Sequence, residues 1–155
     1  MHTYESSFIL KKLSIIVPVF NESILLENVI DTLMSVPCEI EKEYIFVDDG
    51  STDGSIEILN KQALKYEFRI VELIKNQGKG VAVARGIQEA TGDIIMIQDA
   101  DFEYDPRDIP TLLQPLLQGK ADVVYGSRFR HNTQQVHRTY HYYINRTLTV
   151  FSNLL

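Results

Sequence analysis

One cysteine in 155 residues, Cys38, excludes a disulfide framework and any cysteine-built metal site. A lone thiol also suits a reducing compartment. Glu39 and Glu41 follow it, so no positive neighbourhood activates that sulfur. No apolar stretch approaches the roughly 18 uninterrupted residues of a membrane span. The first apolar run, Leu13 to Phe20, is broken by Pro18 and leads into Asn21-Glu22, so it is not expected to be a secretory leader. Two nucleotide signatures are missing as well. Gly78 and Gly80 are followed by Val81, Ala82 and Val83, which breaks the G-x-G-x-x-G dinucleotide pattern, and there is no G-x-x-x-x-G-K-[ST] loop. Acid disappears after Asp122. Residues 1–122 carry 11 Lys/Arg and all 21 Asp/Glu, a charge of −10; residues 123–155 carry four Arg and no acid, a charge of +4.

The 45% apolar and 23% charged fractions are those of an ordinary globular chain, long enough to bury one core. Short β-branched runs alternate with helical patterns, which predicts βαβ units and a mostly parallel sheet. Strands are expected at Ser14–Phe20, Tyr44–Asp48, Phe68–Lys75, Ile94–Gln98 and Val123–Tyr125. Helices are expected over Ile24–Val36, capped by Asn21 or Ser23 and stopped by Pro37, and from Asp53 or Ser55 to about Tyr66. A third runs from Gly80 to Ala90 with Gly92 as a left-handed cap. A fourth opens with Asp105 as N-cap and Pro106 at its first position, is disturbed by Pro115, and closes at Gly119. Thr139–Leu155 has helical apolar spacing and ends on two leucines without a stop signal, so the chain is expected to be cut within an element.

Ligands of open parallel sheets bind beyond the carboxyl ends of the strands. Every predicted strand here is followed by a polar, acidic or glycine-rich cluster. These are Asn21-Glu22, Asp48 through Ser55, Asn76 through Gly80, Asp99-Ala100-Asp101 with Glu103, and Gly126-Ser127-Arg128. Asp99 and Asp101, one residue apart at a strand exit, suit a hard divalent cation in an open site. A solvated acidic turn that caps the next helix is the alternative. Gly78-Lys79-Gly80 fits either an anion at a helix start or a plain strand-to-helix turn. Arg85 fits a solvated helix face equally well. The tail interleaves Arg128, Arg130, Arg138 and Arg146 with Tyr125, Phe129, Tyr140, Tyr142, Tyr143 and Phe151. It suits an anionic partner, phosphate or an acidic membrane surface before nucleic acid, which the acidic body disfavours; a solvated face is the alternative. His131, His137 and His141 read as exposed loop residues and not as a general base.

The segments SIIVPVFNE, YIFVDDGSTDGS, KNQGKGVAVARGIQEATGDIIMIQDADFEYDP and DVVYGSRF together resemble a family 2 glycosyltransferase of GT-A fold, over roughly residues 13–153. QDADFEYDP followed by YGSRF and YHYYINRTLTVFSN resembles the branch of dolichol-phosphate mannosyltransferases and related polyprenyl-phosphate glycosyltransferases. The resemblance implies a single GT-A domain over residues 1–155, a Rossmann-like mostly parallel sheet flanked by helices and truncated at its C-terminus. Residues 13–127 would be the nucleotide-sugar-binding core, and 128–155 an acceptor-side or membrane-proximal segment. It further implies inverting transfer of a sugar, mannose or glucose, from GDP-mannose or UDP-glucose to a polyprenyl phosphate. Mg2+ or Mn2+ would assist, at the cytoplasmic face of the membrane. Family members are usually longer than this chain. Transfer to a polysaccharide, or nucleotide-sugar binding without turnover, are the alternatives.

By motif position, Pro18, Val19 and Glu22 would border the base and ribose, and Asp49 would read the base. Asp99 would lie near ribose and metal. Asp101 would hold the metal, helped by Glu103. Lys79 would contribute to donor binding. Arg128 would face phosphate oxygens, and Arg138 would stand with it on the acceptor phosphate. Nucleic acid is not an expected partner.

Overall fold

β1 (Lys12–Val19) is the strand around which everything else is arranged: Leu13 through Val17 are fully buried, and both its edges are paired. The computed structural model describes residues 10–101 and 104–126. After β1 come α1 (Leu26–Ser35), β2 (Glu41–Asp48), α2 (Ser55–Gln62), β3 (Arg69–Glu72), α3 (Lys79–Glu89) and β4 (Ile94–Ile97). A 3-10 turn at Pro106–Asp108 then leads into α4 (Ile109–Leu117). The sheet order is β3-β2-β1-β4, and every pair is parallel. The expected α/β architecture with a parallel sheet flanked by helices is therefore what forms.

Right-handed crossovers explain the layers. The chain steps from β1 to β2 to β3 in one direction, and α1 and α2 lie in contact with one another. It then returns past β1 to β4, and α3 crosses the opposite face. Leu26, Val29, Ile30 and Leu33 repeat at helical spacing and bury against Leu13, Ile15, Val17, Val19 and Phe46. On the other face Ala82 packs with Ile16, Ile45 and Val47. Strand alternation thus divides one apolar run between two cores.

Several elements differ from expectation. β3 stops at Glu72 because its partner, β2, ends at the paired Asp48. Val123–Tyr125 forms no strand: Val123 and Tyr125 are 63% and 88% exposed, and β-branched composition makes no strand without a ladder. α1 begins at Leu26 without a side-chain cap, because Asn21 bonds to Ser51 and Thr52 and Ser23 to Asp53 in the neighbouring loop; α2 begins at Ser55, one of its two expected starts, behind left-handed Gly54. α2 ends at Gln62, short of Tyr66. Gly92 is no left-handed cap. A Cβ there would lie 2.6 Å from Ser14 Oγ and 2.7 Å from Ser14 N, so close packing selects glycine. The Asp105 cap, Pro106 at the turn's start and left-handed Gly119 form as expected, and α4 continues through Pro115. The expected helix over Thr139–Leu155 lies outside the described residues.

A polar latch at the amino ends of the strands holds the α3–β4 connection. Glu43 accepts Ser14 Oγ at 2.5 Å, Thr91 N at 2.6 Å and Thr91 Oγ1 at 2.9 Å, and pairs with Lys12 at 3.2 Å. Gly92 N donates to Ser14 Oγ at 2.8 Å, and Asp93 accepts the backbone amides of Lys11 and Lys12. Burial alone pushes the Glu43 carboxyl up, but the hydrogen bonds from Ser14, Thr91 and Lys12 outweigh it and hold it at about 2. A carboxyl that titrates lower when folded stabilises the fold fully above pH 4.5, and loses that contribution as pH falls toward 2. Glu43→Gln should destabilise the fold by about 1–3 kcal/mol at pH 7. In urea unfolding the gap from wild type should narrow by pH 3; an equal gap at both pH values would exclude the charge as its source.

Candidate functional site

The carboxyl end of β1 lies between strands reached by crossovers in opposite directions, which makes the β1–β4 gap the topological switch point. Four loops converge there, tied largely by side chains that receive backbone N–H groups. Asn21, at φ 55°, donates its amide to Ser51 Oγ at 3.0 Å and accepts Thr52 N on Oδ1 at 2.8 Å. Glu22 N donates to Ser55 Oγ at 2.9 Å, and Ser23 N to Asp53 Oδ2 at 2.9 Å. Burial raises the Asp53 carboxyl, but hydrogen bonds from Ser55 and Ser23 prevail and bring it to about 2. Buried Asp48 accepts Ser51 N at 3.0 Å. These bonds join the loops after β1 and β2.

The β2 and β3 loops meet backbone to backbone at Gly50, where φ is 70° and a Cβ would lie 2.7 Å from Lys75 Cα. Asp49, 2% exposed, accepts Gln77 N on Oδ1 and Gly78 N on Oδ2, both at 2.8 Å. Gly78 is the N-cap of α3, so Asp49 sets where that helix starts. Lys79, its first residue, reaches the β4 loop: Nζ lies 2.5 Å from Asp99 Oδ1.

The β4 loop is anchored from inside. Ala100, 4% exposed, packs in the α1-side core between Asp99 and Asp101. Gln98, 5% exposed, donates Nε2 to Tyr104 O at 3.1 Å and ties the loop across its base. Glu22 closes the ring. Burial raises its carboxyl, and the negative charges of Asp101, Asp53 and Asp99 raise it further. Carboxylates from the β1 and β4 loops therefore share one cleft with Lys79, and the loop that carries Asp49 is bonded to it.

The expected site residues fall into three groups. Glu22, Lys79, Asp99 and Asp101 are brought together, with Asp49 behind them. Val19 is 1% exposed and packs in the core, so it offers the cleft its backbone, whose carbonyl accepts Asp49 N at 2.8 Å; Pro18 beside it is half-buried. Glu103, Arg128 and Arg138 lie outside the described residues. Arg85 pairs along its own helix with Glu89 at 2.7 Å. Asn21, Ser51, Asp53, Ser55 and Gln98 were not singled out from sequence as site residues. Their signal was the density of Asx and Ser in the β1 and β2 loops, and one amide at the end of an apolar strand.

Among the described residues no three His, Cys, Asp or Glu side chains form a ready-made cation cage. What stands there are two carboxylates one residue apart, Asp99 and Asp101, the first ion-paired with Lys79 at the start of α3, with Glu22 within charge range of both. Such a set fits a cation whose remaining ligands come from phosphate and water.

Residues 14–153 match the family model described as "Glycosyl transferase family 2". The chain is 33% identical over 118 residues to the dolichol-phosphate mannosyltransferase of Pyrococcus furiosus, covering 76% of this chain and 33% of that one. It is 37% identical over 123 residues to the dodecaprenyl-phosphate galacturonate synthase of Rhizobium johnstonii, covering 76% and 36%. Among solved structures it resembles the mannosyltransferase PcManGT of Pyrobaculum calidifontis, in complex with GDP-Man and Mn2+. That likeness has TM-score 0.54 and 32% identity over 57% of this chain and 27% of the other, and bears out the expected GT-A fold. The chain spans about a third of the length of the curated relatives named here.

Asp49→Asn should leave one of the two amides, Gln77 N or Gly78 N, facing a donor. It should destabilise the chain by about 1–3 kcal/mol and speed hydrogen exchange at Gln77 and Gly78 more than at Ile16. Uniform acceleration would show that Asp49 does not hold this loop.

Proposed function

The chain belongs to glycosyl transferase family 2, and from that premise we propose that it binds a nucleotide-diphospho-sugar with a divalent cation and passes the sugar, with inversion, to a polyprenyl phosphate. The observation that carries this reading is the meeting of Glu22, Lys79, Asp99 and Asp101 at the β1–β4 switch point. The polyprenyl-phosphate names of the curated relatives support the acceptor class, and the GDP-Man and Mn2+ of PcManGT support the donor class and the cation.

Each residue has a definite task in this proposal. Asp99 and Asp101, with Glu103 adjoining, would hold Mg2+ or Mn2+, which when bound draws charge from the departing diphosphate. Pro18, the Val19 backbone, Glu22 and Asp49 border the base and ribose. Asp49 does so through the loop it shapes, since both its oxygens already receive amides. Lys79 meets the diphosphate at the helix start, where the backbone dipole favours anions. A phosphate monoester has a second pKa of about 6, so the acceptor is already a nucleophile near neutral pH and needs no protein base. Arg128 and Arg138 are proposed to face that phosphate at the cytoplasmic membrane surface. Among the described residues no helix is long and apolar enough to cross a membrane.

The donor is tested by calorimetry with GDP-mannose and with UDP-glucose, each with and without Mn2+. One should bind roughly tenfold tighter with the metal, about 1.4 kcal/mol, and Asp101→Ala should erase that difference. Metal dependence that survives in the variant would remove Asp101 from the metal site. The acceptor is tested by following labelled sugar into an undecaprenyl or dolichyl phosphate extract. Label that enters polysaccharide without lipid phosphate would overturn the acceptor class.

A further inference from the structure

Building on the proposed metal and diphosphate roles, we propose that Lys79 is the resident counter-ion of Asp99, one that competes with a divalent cation for that carboxylate and that the donor diphosphate then takes up. Metal and diphosphate would in this way be made to load together.

The argument starts from where Lys79 sits. As the first residue of α3 it places a positive charge at the positive end of an eleven-residue helix, whose first turn carries no acidic residue. Isolated, that placement is unfavourable, because the charge meets the positive end of the helix dipole. What offsets it is Asp99, with Nζ 2.5 Å from Oδ1. The two partners are unequal: the Asp99 side chain is 18% exposed, whereas that of Lys79 is 61% exposed on a flexible four-carbon stem. Asp99 is anchored by the buried Ala100 beside it, whereas the Lys79 side chain lies mostly in solvent.

Charge then sets the two cations in competition. The ammonium occupies Oδ1 of Asp99, one of the carboxylate's two oxygens, and leaves a divalent ion the other. A lysine retained there would also repel that ion at contact range. Asp101 lies within charge range of Glu22 beside this pair, so Lys79 competes with the metal at one carboxylate and weakens its binding without abolishing it. A diphosphate reverses the balance, because its oxygens bind the metal on one side and accept the displaced ammonium on the other. Cation and lysine compete for one carboxylate when alone, and share one diphosphate when it is bound. By linkage, each of metal and diphosphate raises the affinity of the other. When the diphosphate departs, Lys79 returns to Asp99 and loosens the metal.

The test is Mn2+ binding to the full chain, followed from the free-ion electron paramagnetic resonance signal. It is run without nucleotide and then with saturating GDP or UDP, on wild type, Lys79→Met, Lys79→Arg and Asp101→Ala. Lys79 is exposed, so its replacement leaves the core intact. Lys79→Met should bind Mn2+ alone at least about threefold tighter than wild type, the scale of one exposed ion pair. It should also gain less affinity when nucleotide is added. Lys79→Arg, which keeps the charge, should behave as wild type. Lys79→Met binding Mn2+ no tighter than wild type, including no measurable binding by either, would overturn the counter-ion role. If Asp101 still matters with nucleotide present, the metal reading survives that failure. Nucleotide-dependent Mn2+ binding indifferent to Asp101 would instead sink both.

Discussion

Burial of β1 on both faces and along both edges is the constraint from which the site follows. A strand with no free side has its register set by two neighbours, Glu41–Asp48 on one edge and Ile94–Ile97 on the other. Because those neighbours are reached by crossovers of opposite direction, their loops part at the carboxyl end of β1 and leave a crevice. Glu22 leaves β1 on one side of that crevice and Asp99-Ala100-Asp101 leaves β4 on the other. The side chain that fixes the pair is the least polar of the three. Ala100 is held in the core, whereas Asp99 and Asp101 on either side of it are only half-buried.

Burying and gathering carboxylates has an electrostatic cost: burial raises the Glu22 carboxyl, and the charges of Asp101, Asp53 and Asp99 raise it further. Two devices offset it. Many acidic and amide side chains in these loops accept backbone amides, as Asp48, Asp49, Asp53 and Asn21 do, and so spend their charge or dipole on loop geometry. Asp99, at the β1–β4 gap, is matched instead by the exposed ammonium of Lys79. A group held by fixed amides stays put when a ligand arrives, whereas one held by an exposed lysine can change partners. The division between scaffold and working residues is a division between those two kinds of counter-charge.

The far end of the sheet serves the same purpose. β4 has four residues and one partner strand among the described residues, a weak hold for the strand that carries the acidic tip. The Ser14–Glu43–Thr91 latch and the close approach of Gly92 to Ser14 fix where β4 begins, and its length then fixes where Asp99 emerges. Stability at the amino ends and geometry at the carboxyl ends are linked through one short strand.

Much of this was legible in the chain itself. Near-continuous apolar runs declare doubly covered strands, Asp105-Pro106 and Gly119 bound the segment that holds α4, and polar clusters after the strands mark the edge where the loops converge. These are local properties, carried by side-chain period and backbone preference over a few residues. Tertiary structure alone decided that Val19 faces the core, that Asp49 is a loop clasp, that Gly92 is required by crowding, and that Lys79 lies on Asp99. It also decided that Val123–Tyr125, without a ladder, is no strand. Each of these depends on a partner far away in sequence, where contact and hydrogen-bond geometry override what a residue type prefers by itself.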